Sequence, residues 1–310
     1  MSHFSVAILT KGKPSIEDIE DILAPYQENN CEDCPKEYME FYDYEDYRPK
    51  YENETTTAYQ LFNGEIVKYP TDEQKNGATE ITISFKELYN TFEQFLEEYV
   101  CARYDEEKKQ YGYWENPNAK WDWWVVGGRW AGLLRLPKNN TVSFDEMMNG
   151  KDDAEEPDYL RGEKSPFSDR DPYESQEFIL ADVARVKDII IEPETSEITS
   201  RKLFWELKIE EREPVNDEEQ KIKNDFMFYT KEYYLEKYKT KEKYVDLTTR
   251  FQTYAVITKD GEWIEPGVMG WFGCSHASNE DEETYLNNYH KLVFENAEED
   301  DYITIVDCHI

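Results

Sequence analysis

The sequence predicts an α+β fold: an antiparallel sheet that contains both terminal strands, as a ferredoxin-like core carrying large insertions. Three observations lead there. An apolar, β-branched run stands at each extreme of the chain, residues 4–10 (FSVAILT) and 302–308 (YITIVDC). Asp260-Gly261 joins two short apolar runs, 251–258 and 262–264, as a tight hairpin requires. Between these lie segments whose apolar residues recur at helical spacing.

The elements follow in order. Residues 4–10 form a strand that Lys11-Gly12-Lys13-Pro14 turns. Residues 28–54 are acidic and follow no period; Tyr38, Phe41, Tyr42, Tyr44, Tyr47 and Tyr51 are set among Glu and Asp. They read as a surface insertion whose rings pack back onto the body. Residues 81–85 are a short strand, and Ser84 with Glu87 makes a capping box. Phe85, Leu88, Phe92, Phe95, Leu96 and Tyr99 then predict one amphipathic helix over 85–108. Residues 138–174, rich in Asp, Glu, Pro, Ser and Gly, read as a surface connection. Beyond it, 178–191 read as a short helix running into a strand, 203–209 (LFWELKI) as a strand and 216–244 as one helix. The hairpin, a helix over 281–296 and the final strand complete the chain. The expected organisation is an N-terminal α+β part over 1–137, an acidic connection over 138–174 and a C-terminal α+β part over 175–310 that shares the sheet.

Charge bounds the function. Of 310 residues 69 are acidic and 35 basic, a formal net charge of −34. Direct binding to nucleic acid or to an anionic membrane needs clustered Lys and Arg, so neither is expected. With a mean hydropathy of −0.89 such a chain would lean towards disorder. Its 15% aromatic content argues for a folded protein with an aromatic core. No apolar run approaches 18 residues and no basic segment precedes a long apolar one at the start, so a cytoplasmic setting is expected. Five cysteines (Cys31, Cys34, Cys101, Cys274, Cys308) in a chain this long do not make a disulfide framework.

The most unusual segment is 113–130, YWENPNAKWDWWVVGGRW, with five of the eight tryptophans. Asn116-Pro117-Asn118 is turn chemistry. On a following strand Trp121, Trp123 and Val125 share one face, Asp122 and Trp124 the other. Gly127-Gly128 lets the backbone bend or a neighbour approach closely. A structural reading buries Trp121 and Trp123 and closes the cluster with an Arg129–Asp122 pair. A functional reading makes Trp121, Asp122, Trp123, Arg129 and Trp130 a pocket for a planar or phosphorylated ligand. The glycine spacing is neither a P-loop nor a dinucleotide fingerprint.

The opening MSHF, Leu23-Ala24-Pro25-Tyr26, NPNAKWDWWVVGGRW, the late GVMGWFG and the closing TIVDCHI resemble a family of phage and bacterial mobile-element proteins without an assigned activity. The matching pieces cover about a quarter of the chain. The resemblance implies a viral or mobile-element setting and supplies no catalytic residue.

Other chemistry is sparse. Cys31-x-x-Cys34 with Cys274-x-His276 or Cys308-His309 could complete a zinc site, but the spacing matches no finger; free thiols are the simpler reading, and neither metal nor cofactor is expected. His3 and His309 sit on the two terminal strands and could face each other for acid–base chemistry or merely be hydrogen-bonded. The acidic stretch offers a docking surface made of Glu40, Tyr42, Asp43, Tyr44, Glu45 and Tyr47, where rings supply contact area and carboxylates meet a basic partner. The function expected is therefore non-enzymatic: a phage-encoded inhibitor in the host cytoplasm that occludes a host defence protein or complex with a basic surface. Sequestration of a nucleotide signal in the Trp/Arg pocket is the alternative, and self-association is left open.

Overall fold

The two apolar runs at the extremes of the chain lie side by side. In a computed structural model that describes residues 3–138, 159–165, 171–175, 177–268 and 276–310, His3–Lys11 and Asp301–His309 pair antiparallel from His3 opposite His309 to Lys11 opposite Asp301. Both strands are buried along nearly their whole length, which explains their apolar runs in place of alternation.

Around this pair an eight-stranded sheet is built. Ala255–Ile257 runs parallel to the first strand, and Trp263–Ile264 pairs with it beyond the Asp260-Gly261 turn. On the other side, Asp301–His309 pairs with Val183–Arg185 along one half and with Trp123–Gly128 along the other. The expectation of a sheet holding both terminal strands is met, but the sheet is mixed rather than antiparallel: the first strand has a parallel neighbour, and Glu163–Lys164 runs parallel to Trp123–Gly128. The hairpin also starts on the strand beside the first and runs outward, whereas in a ferredoxin-like core it runs inward. The hydrophobic run of a buried strand does not encode its direction, so sequence could not fix either point.

The chain divides into two compact units, residues 1–23 with 120–310, and residues 24–119. These boundaries differ from 1–137, 138–174 and 175–310. Residues 120–130 of the tryptophan segment belong with the terminal strands, whereas residues 113–119 and the tyrosine-rich stretch belong to a unit with its own core. Residues 139–158 and 166–170 of the expected connection lie outside the described residues.

In the first unit, Ala7, Leu9, Val256, Ile303 and Ile305 of the sheet pack with Tyr285, Tyr289 and Val293 of the C-terminal helical segment. The helix Asn279–His290 starts at a Ser278/Asp281 capping box. A satellite core of Trp205, Ile209, Tyr244 and Val245 sits among helices. There the expected strand at 203–209 is helical: Thr195–Phe204 continues into a π-helical turn, Trp205–Ile209. Short apolar runs are ambiguous between the two states. The expected helix over 216–244 is three helices, Asp217–Asn224, Lys231–Tyr238 and Lys241–Thr249, with side-chain caps from Asn216, Thr230 and Thr240. Of the short helix running into a strand expected over 178–191, only the strand is found: Phe178–Ala181 and Val183–Arg185 are both strands, followed by a 3-10 turn.

The unit 24–119 has the aromatic core that composition predicts: Tyr51, Phe85, Tyr89, Phe92, Phe95, Leu96 and Ala102. Phe85 packs edge-on against Phe95 at 5.0 Å and Tyr99 at 4.7 Å. Its helix over 85–108 is broken into Phe85–Leu88, Phe92–Phe95 and a π-helical turn Leu96–Val100. The Ser84/Glu87 box forms as expected, but Thr91 caps a second start from Gln94, and Tyr89 between them is extended. Local capping overrode the period. Among the described residues no helix is long and apolar enough to cross a membrane.

Candidate functional site

Two regions hold the residues that the sequence singles out. The first is the tryptophan motif against the C-terminal strand, with Trp123 opposite His309 and Val125 opposite Asp307. Trp121 is 5% exposed and its indole N–H donates to the Leu23 carbonyl at 3.0 Å. Trp123 is 49% exposed, so the expectation that both are buried holds for Trp121 alone. Trp130 packs against the main core. Arg129 is exposed and does not pair with Asp122; its backbone N–H donates to Asp307 Oδ2 at 2.9 Å. Asp122 is taken by His309 instead. The five residues of the pocket reading thus divide between core and surface.

Gly127 and Gly128 both have positive φ, +83° and +57°. A Cβ on Gly127 would lie 2.9 Å from Asp182 Oδ2, and one on Gly128 2.5 Å from the Cβ and Oδ2 of Asp307. The glycine pair is needed because the backbone passes between two buried carboxylates. Asp182 is fully buried and accepts from Gly132 N–H at 2.6 Å, Gly162 N–H at 2.7 Å and the Tyr173 hydroxyl at 2.5 Å. Burial pushes its carboxyl above the usual range against these donors. Nothing in the sequence marks Asp182 among 69 acids.

The expected meeting of His3 and His309 occurs: their rings touch edge-on, centres 4.9 Å apart at 68°. Each is held by a carboxylate through Nδ1, His3 by Asp307 at 2.8 Å and His309 by Asp122 at 2.5 Å. Trp123 lies 6.1 Å from His3, ring centre to ring centre. His309 Nε2 is buried and has no hydrogen-bond partner among the described residues. The cysteines do not reinforce a metal reading. Cys34 donates its thiol to the Gln27 carbonyl, Cys308 is fully buried with its thiol pushed well up by desolvation, and Cys274 lies outside the described residues.

The second region is in the unit 24–119. Glu40–Asp43 pairs antiparallel with Gln110–Glu115, which sets Glu40 opposite Glu115 and Tyr42 opposite Tyr113. Tyr42 and Tyr113 stack at 5.7 Å, and Tyr44 adds rings at 5.5 Å to Tyr113 and 5.8 Å to Tyr47. Glu40, Asp43, Tyr47, Tyr113 and Glu115 are exposed. Burial and the carboxylates of Glu40 and Glu115 raise the Tyr42 hydroxyl. Of the six residues read from sequence, Glu45 is neutralised by a two-pronged bond from Arg48 at 2.5 and 2.7 Å, and Asp43 accepts from the Glu45 N–H. Tyr113 and Glu115 were missed because they stand far along the chain from Tyr42 and Glu40 and only strand pairing brings them in.

A scan against family models and searches of curated proteins and of solved structures match nothing for this chain.

Proposed function

We propose that this protein is a non-enzymatic inhibitor that docks a basic surface of a host protein through the acidic tyrosine face of its unit 24–119. The observation that carries the reading is the Glu40–Glu115 pair. Like charges directly opposite on a strand pair destabilise it, yet here they flank a stacked tyrosine pair, Tyr42 half-buried and Tyr113 exposed. A cationic partner would relieve that repulsion, and the rings would supply contact area at small entropic cost. On this reading the protein acts in the host cytoplasm during phage or mobile-element invasion, the setting that the motif resemblance implies. The target class is then a defence complex whose basic nucleic-acid-binding surface is blocked without turnover, with no direct contact to nucleic acid.

Native mass spectrometry of the tagged chain recovered from bacteria carrying diverse defence systems tests this. A stoichiometric host protein, lost in Glu40→Lys/Glu115→Lys and kept in Arg129→Ala, is expected. A small mass adduct on an otherwise lone chain, lost in Arg129→Ala, would replace the proposal with nucleotide sequestration. The dispersal of Trp121 and Trp130 into the core favours docking over that pocket.

A further inference from the structure

We propose that His3 and His309 bind one divalent transition-metal ion of the zinc class, at a site independent of the tyrosine face. Histidines that ligate metals present one ring nitrogen to the ion and give the other to a carboxylate, which fixes the tautomer and raises basicity. Both imidazoles already have that outer half, through Asp307 and Asp122. An ionised carboxylate only accepts, so each Nδ1 carries a proton, and in the neutral imidazole that a metal requires Nε2 is then the ligating nitrogen. The Nε2 of His309 is buried without a protein partner, a state that native structures keep rare unless an ion or other ligand serves it.

The spacing fits. Two imidazoles on one tetrahedral ion, with metal–nitrogen bonds of roughly 2.0–2.1 Å, have ring centres about 5 Å apart. The observed separation is 4.9 Å, and the 68° angle keeps the rings from stacking. The two histidines are also directly opposite in the register of the central strand pair, a rigid mount. A net charge of −34 adds a field that favours a cation. Among the described residues the only group of three or more clustered metal-capable side chains is Glu298, Asp300 and Asp301, so the protein supplies two ligands at the histidine pair. Two protein ligands leave a tetrahedral ion two positions short of its usual four; the Trp123 ring lies 6.1 Å from that of His3, and the Arg129 backbone N–H reaches Asp307. Fewer than four protein ligands are the mark of an ion that takes an exogenous ligand rather than one that only staples the fold.

The test uses the full chain stripped by a chelator. Titration with Co²⁺ followed by visible absorption, and with Zn²⁺ by calorimetry, is expected to show one equivalent bound. His309→Gln or His3→Gln should abolish it, and Asp122→Asn should weaken it about 10–100-fold through loss of the outer carboxylate. Imidazole nitrogen NMR of the unmutated chain keeps the proposal testable even where a variant misfolds. With four histidines present, Zn²⁺ should move the Nε2 signals of two. Absence of stoichiometric uptake, or uptake that leaves those two signals in place, overturns the site and leaves the docking proposal untouched.

Discussion

Trp121 and Trp123 are two residues apart, yet truncating them should have very different consequences. Trp121 is 5% exposed and its N–H reaches the Leu23 carbonyl; Trp123 is 49% exposed. Removing a buried tryptophan to Ala costs about 3–5 kcal/mol through lost transfer energy and the cavity left behind. Loss of the indole hydrogen bond leaves the Leu23 carbonyl without that donor, within the same range. Trp123→Ala forfeits about half the transfer energy and opens no enclosed cavity, so about 1 kcal/mol is expected. Urea unfolding measures both. Because the chain has two units, the relevant transition is assigned by hydrogen exchange at Ile303 and Ile305 of the central strand. A Trp121→Ala cost below about 1 kcal/mol, or equal costs for the two variants, would refute the assignment of Trp121 to the core.

Three further outcomes follow from the same geometry. Gly128→Ala places a methyl 2.5 Å from Asp307 at positive φ, so it should destabilise by more than the roughly 1–2 kcal/mol of the backbone conformation alone; a neutral effect in thermal unfolding would contradict the close approach. Asp182 keeps its proton to higher pH in the folded chain than in the unfolded one. Its contribution is therefore complete below the unfolded value near about 4 and is lost as pH rises through the folded value. The stability difference between the native chain and Asp182→Asn should shrink as pH rises from there; a difference that grows would reverse the assigned shift. Ser84→Ala removes the acceptor for the Glu87 N–H and should cost about 1 kcal/mol in the unit 24–119, read by urea unfolding; no change would mean the cap is idle.

Legibility tracked the range of the forces involved. The terminal strands, the Asp-Gly hairpin, the Ser84 cap and the C-terminal helix were readable because each is written in neighbouring residues. The long helices at 85–108 and 216–244 were over-read: their periodic faces were real, but Thr91, Thr230 and Thr240 restart helices by capping. The candidate sites were half visible. His3, His309 and the tyrosine run could be named, whereas Asp182 as the partner of Gly127, and Tyr113 and Glu115 beside Tyr42 and Glu40, could not.

By itself the sequence determined an acidic, aromatic-cored α+β protein whose two ends are buried strands, because composition and local pattern carry burial and capping. The tertiary structure decided which strands neighbour which, and in what direction. It also decided that 24–119 is a unit of its own and that Asp122 serves His309 rather than Arg129. The physical reason is that pairing and carboxylate partnership are settled between residues far apart in the chain. There, geometry selects among many acids that the sequence alone leaves equivalent.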